Sequence, residues 1–147
     1  MSSASIKKII SCNKKNLIQM VLDIEKYPQF VPWCLDGKIH KKNETIDFTE
    51  IEADLKVGKR FINETYSSVV LYSKKKDLIT VINTRGPLKY LKNEWKFKEI
   101  NNKTQLDFNI DFELKNNFLN IIMKNYFNFG LNKIADAFEQ RAIKLFK

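Results

Sequence analysis

This 147-residue chain is poor in the side chains that most enzyme chemistry needs. It holds one histidine, His40, and two cysteines, Cys12 and Cys34, which form no metal-type pair. His40 lies in a lysine-rich segment and is expected to be exposed. Cys34 follows an aromatic cluster and is expected to be buried and inert. There is no Ser-His-Asp order, no phosphate loop and no glycine-rich dinucleotide turn. A cyclase or hydrolase needs a general base placed against a nucleophile or substrate proton, and no motif supplies one. We therefore expect no catalytic residue, no metal and no cofactor. Arginine is also scarce: Arg60, Arg85 and Arg141 are the only three, although 26 basic and 17 acidic residues leave a formal charge of +9. Bidentate reading of DNA bases favours arginine, so DNA is not an expected partner. No apolar run approaches the roughly 18 residues of a membrane span, and "MSSASIKKIISC" is too polar for a signal peptide. Two cysteines in such a chain suit a reducing cytosol.

What is present suits one globular domain over residues 1–147, with 44% hydrophobic and 12% aromatic content. Residues 4–12 read as a strand, with Ser11 or Asn13 as the cap of a following helix. Leu17, Met20, Val21 and Ile24 recur at helical spacing. From residue 37 the period becomes two. Residues 37–42 and 45–57 read as a hairpin turning at "KNE", with a bulge near Thr49–Glu50, and "VGKRF" as a turn with Gly58 at positive φ. Further strands follow in "FINETYSSVVLY", "DLITVINT", residues 90–100 and residues 105–114. The last is the clearest, with Leu106, Phe108, Ile110, Phe112 and Leu114 on one face. Residues 117–146 read as one long helix whose first half is apolar almost all round, as in a helix buried on several sides. An antiparallel sheet with one apolar face, joined to such a helix, predicts an α+β fold in which the curved sheet wraps the helix.

One segment fits neither period. "KYPQFVPWC", residues 26–34, has three aromatics and two prolines in nine positions, which rules out a regular helix or central strand. Its place between the first helix and the first hairpin puts it at the sheet edge. Tyr27, Phe30 and Trp33 are expected to help close a cavity mouth, stiffened by Pro28 and Pro32; a fixed apolar plug is the alternative.

"DIEKYPQFVPWC", "DLKVG", "ETYSSVV", "GPLKYLKNEWKF" and "AFEQRA" occur in this order over residues 5–146. Together they resemble the coenzyme Q-binding START-domain family, whose relatives include polyketide cyclase-like proteins and a bacterial ribosome-association toxin. The resemblance implies a helix-grip fold and a non-catalytic role: binding ubiquinone or a similar prenyl lipid between sheet and helix in support of respiration. It implies work at the surface of the bacterial inner membrane, from the cytoplasm, or at the mitochondrial inner membrane. The alternative it carries is a regulator that binds the large ribosomal subunit through RNA; a cyclase-type enzyme comes third.

Under that reading the cavity walls are drawn from Trp95, Phe97 and Phe108 on strands, and from Phe118, Ile122 and Tyr126 on the long helix. Tyr27, Phe30, Trp33 and Tyr66 add aromatic surface. Asn93 and Glu64 are the candidate polar groups, because apolar ligand sites carry a few placed polar contacts. The lysines at 41–42 and 74–76 fall near turns and are expected to cluster at one end of the sheet. There they would hold the protein on an anionic bilayer while the cavity exchanges lipid, or contact ribosomal RNA.

Overall fold

The computed structural model describes residues 2–59 and 62–146, and of Lys59, Ile62 and residues 122–126 the backbone alone. Strand β1 (Ser2–Ile10) leads into helix α1 (Lys14–Leu22), whose cap is Asn13, accepting the Asn16 N–H at 2.8 Å. A 3-10 turn, Ile24–Gln29, accommodates Pro28. Six strands follow: β2 (Cys34–Glu44), β3 (Phe48–Lys59), β4 (Ile62–Ser73), β5 (Leu78–Arg85), β6 (Leu88–Ile100) and β7 (Lys103–Leu114). Helix α2 (Asn117–Leu145) closes the fold, its first turn capped by the Asn116 side chain. The seven strands form one antiparallel sheet in the order β1-β7-β6-β5-β4-β3-β2, curved around α2 as a helix grip.

Three local expectations change. The hairpin reverses at Thr45–Asp47, not at 42–44, because β2 continues to Glu44 opposite Thr49. The bulges lie in β2, at Leu35 and His40, while β3 pairs with β4 without a slip from Phe48 to Lys59. Thr49 is the inward residue there and Phe48 faces out, so the apparent phase change came from a buried threonine. Gly58 is not a positive-φ turn residue either. It stays in β3 and donates its N–H to the Trp33 carbonyl at 2.9 Å, and the glycine at positive φ is Gly86 (121°).

The sheet has two unlike ends. At one lie the 45–47, 74–77 and 101–102 reversals, and the start of α1 is tied there by Lys14 to Asp77 (2.9 Å) and by the Thr104 hydroxyl to the Cys12 carbonyl (2.7 Å). Ile10, Leu17, Ile51, Ile79 and Thr104 are sealed from solvent there. At the other end lie the β5–β6 reversal, the start of α2 and the Pro32–Trp33 bend. The interior residues at that end, Tyr66, Leu91 and Phe127, keep partial exposure.

Helix α2 joins the two ends. Its C-terminal half packs by Phe138 and Ala142 and is held to β1 by Lys8, which pairs with Asp136 (3.0 Å) and Glu139 (2.7 Å). The expectation that its first half is buried on several sides fails. Phe118 is 68% exposed, Ile121 67% and Phe129 64%. The sheet covers one side of the helix, and the apolar outer side faces solvent.

Candidate ligand cavity

Between the concave face of the sheet and α2 lies a cavity of about 450 Å³. That is within the range of pockets for drug-sized ligands. Its sealed part is walled by Val21, Ile24, Ala53, Val70, Ile79 and Phe138. Its open part is walled by Val57, Tyr66, Leu88, Leu114, Phe127 and Trp33. The space exists because small side chains face it: Ala53 on β3 stands opposite Ser68 on β4, and Gly130 takes α2 past the Trp33 ring. No histidine, carboxylate, lysine or arginine is among the described lining residues. Among the described residues no three metal-ligating side chains come together, and no helix is long and apolar enough to cross a membrane.

An aromatic block forms the floor. Phe138 meets Tyr27, Phe30 and Trp95 edge-on, with centroids 5.1–5.3 Å apart, and Trp95 meets Phe108 at 4.8 Å. Such pairs contribute about 0.5–1.5 kcal/mol beyond area burial. Burial drives the Tyr27 phenol well above its ordinary pKa, with smaller contributions from Cys34 and Asp23. It stays a neutral donor to the Val21 carbonyl. Burial also raises the Cys34 thiol, which keeps that free cysteine protonated at neutral pH.

Of the residues singled out from sequence, Tyr27, Trp33, Tyr66, Asn93, Trp95 and Phe108 line the cavity. Four do not. Phe97 is core beyond the cavity, and Phe118 points away from it into solvent. Glu64 is exposed: it pairs with Val57 at the rim, one strand repeat outside Tyr66, where water solvates its charge. Phe30 lies on the outer side of the floor, under the Arg141 guanidinium (5.1 Å), and borders a separate depression of about 230 Å³. The side chains of Ile122 and Tyr126 lie outside the described residues. The gate expectation narrows accordingly. Tyr27 and Phe30 belong to the fixed floor, and Trp33 alone of the three stands at the opening, at φ 64°, with its ring 3.7 Å from where a Cβ on Gly130 would be.

Asn93 is buried as part of the wall, but its amide serves the protein. It donates to the Asn109 carbonyl at 3.0 Å and accepts the Trp95 indole N–H at 2.7 Å. Sequence reasoning missed Ser68, Asn83, Leu88 and Phe127. Ser68 and Asn83 are signalled only by the β4–β5 register, which sets them side by side.

The lysines at 41–42 and 74–76 do share one end, where Lys74 pairs with Glu44 (3.3 Å). That end is the sealed one, opposite the opening, so these lysines do not face whatever the mouth faces.

The family model described as "polyketide cyclase / dehydrase and lipid transport" matches residues 18–139. The chain belongs to this family. Within the polyketide cyclase and lipid-transport family it is 33% identical over 143 residues to the ribosome association toxin RatA of Rickettsia prowazekii, covering 95% of each chain. It is 29% identical over 129 residues to the mitochondrial coenzyme Q-binding protein COQ10 of Dictyostelium discoideum, covering 86% of this chain and 62% of that one. The solution structure of the 18 kDa protein CC1736 from Caulobacter crescentus superposes with a TM-score of 0.80 at 27% identity, over 99% of this chain and 98% of that one.

Proposed function

We propose that this protein is a non-enzymatic carrier that shields ubiquinone, or a similar prenylated ring lipid, in the cavity between sheet and α2. The observation that carries the reading is a mostly apolar cavity with an open end and no charged side chain among its described lining residues. Burial of a tail there gains roughly 25 cal/mol per Å², replacing the bilayer that the lipid leaves. The apolar outer stripe of α2 at the same end supports peripheral contact with a bilayer, with Lys115 at the helix start and Lys133 over the Phe129 ring as the cations beside it. The match to a coenzyme Q-binding protein supports the same choice of lipid. Organic extraction of protein purified from membranes tests the reading. A prenylated quinone identified by absorbance and mass is expected, and an extract holding none, with no uptake of added quinone, overturns it.

A second reading has its own observation. The lysines at 41–42 and 74–76 gather at the sealed end, away from the mouth, and the match to a ribosome association toxin supports the ribosome as their partner. Co-sedimentation of the empty protein with large subunits, lost steeply as salt rises, would favour it. Turnover of a polyketide-type substrate would establish the enzyme reading instead, against a described wall that offers no base.

A further inference from the structure

The polar groups along the cavity wall can be accounted for one at a time. The Tyr27 hydroxyl is given to the Val21 carbonyl. Asn93 and Trp95 satisfy each other, and Asn83 donates to the Leu88 carbonyl (3.1 Å) while accepting the Leu91 N–H (3.0 Å). Ser67 turns outward and donates to Asp54 at 2.6 Å, and the Cys34 thiol is directed to the Asp36 carbonyl at 3.7 Å. Among the described lining residues three side-chain groups remain: the Trp33 indole N–H at the opening and, inside the rim, two hydroxyls. The hydroxyls of Tyr66 and Ser68 make no hydrogen bond to any described residue, yet neither is a sealed, unsatisfied atom of the kind Arg141 Nε is. A polar group that is neither bonded internally nor closed off is available to a ligand.

The two residues stand on the concave face of β4, opposite Leu55 and Ala53 of β3. Residues two apart on a strand lie about 7 Å apart along it. Ala53 leaves free space in front of Ser68, and the neighbouring Asn83 amide is already committed. Burial, with Glu64 nearby, raises the Tyr66 pKa, so this phenol is protonated at neutral pH.

We infer that the Tyr66 and Ser68 hydroxyls are the head-group site of the cavity, taking a ring that carries two oxygen substituents on opposite edges. This deepens the carrier reading and rests on it. A hydroxyl both donates and accepts, so the same pair serves ring carbonyls and ring hydroxyls. The site therefore accepts the oxidised quinone and the reduced quinol alike, without moving any other group. A donor-only group such as a lysine ammonium in its place would favour the carbonyls of the oxidised ring. The ring lies against β4 where the open part of the cavity meets the sealed part, and the apolar tail occupies the remaining wall.

The test is a titration of the intact protein with decylubiquinone, read by quenching of Trp33 and Trp95, with decylbenzene as a ligand of equal tail and no ring oxygens. Tyr66→Phe and Ser68→Ala are each expected to weaken decylubiquinone binding about three- to tenfold and to leave decylbenzene unchanged. Decylubiquinone and its quinol are expected to bind wild type within about threefold of each other. If the double variant binds decylubiquinone as wild type does, or loses both ligands equally, the head-group site is wrong while the carrier reading stands. If wild type binds no decylubiquinone, the carrier reading fails and takes this site with it.

Discussion

The two ends of this sheet are built from the same strands and behave differently. At the sealed end every reversal is short and α1 lies across the strand tips, so the inward side chains meet one another and exclude solvent. At the open end the same concave face continues through Val57, Tyr66, Leu91 and Leu114, but only the first half of α2 stands over it, apolar on both sides. The difference shows how one fold combines stability with a vessel. Close packing is concentrated where the helix is clamped, and the unfilled volume lies where the helix is the lid.

Substitutions at the two ends should separate these roles. The largest effect is expected for Phe138→Ala, which removes the hub of the aromatic floor: about 3–5 kcal/mol of stability, read by chemical denaturation. Next is Gly37→Ala. A Cβ there would sit 2.5 Å from the Ile24 carbonyl oxygen, forcing β2 away from the 3-10 turn, at about 1–3 kcal/mol on the same measurement. Leu88→Ala at the open end enlarges a space that already exists and is expected to cost about 2 kcal/mol or less. A cost equal to that of Phe138→Ala would erase the contrast between the ends.

Gly130→Ala is expected to stabilise by about 0.5–1 kcal/mol, raising Tm by a few degrees. Among the described residues a Cβ there meets only the Trp33 ring, at ordinary contact distance, and should tighten the lid. The smallest effect concerns the clamp itself. Hydrogen bonds from Lys8 to Glu139 and then Asp136 raise its pKa above the ordinary lysine value. A raised folded-state pKa means that its contribution is complete below the unfolded value and lost as pH rises through the folded one. Loss of less than about 1 kcal/mol is expected across that alkaline window, and a Lys8→Met variant should not show it.

Much of the frame was legible in the chain. The alternation of residues 105–114 gave β7 and its inward face, the stripe through Leu17 and Val21 gave α1, and the prolines set the corner at 24–33. The cavity was legible only in outline, because empty space depends on which small residues become neighbours. Ala53 and Ser68 are fifteen positions apart and meet only through the β3–β4 register. Glu64 and Phe118 misled for a related reason. Both lie in apolar-patterned elements, but those elements extend past the part of the fold that covers them. Asn93 was correctly placed inward, while its role as a strut for the Trp95 indole required the hydrogen bonds themselves.

The half-filled open end has a thermodynamic consequence. A cavity ligand supplies core atoms that the chain itself does not, so occupancy and folding are linked. At a free ligand concentration of 100 times Kd, that linkage adds about 2.7 kcal/mol to the folded state. The melting temperature of this protein is then a gauge of its load, and the empty form is the one that opens first and meets proteases first.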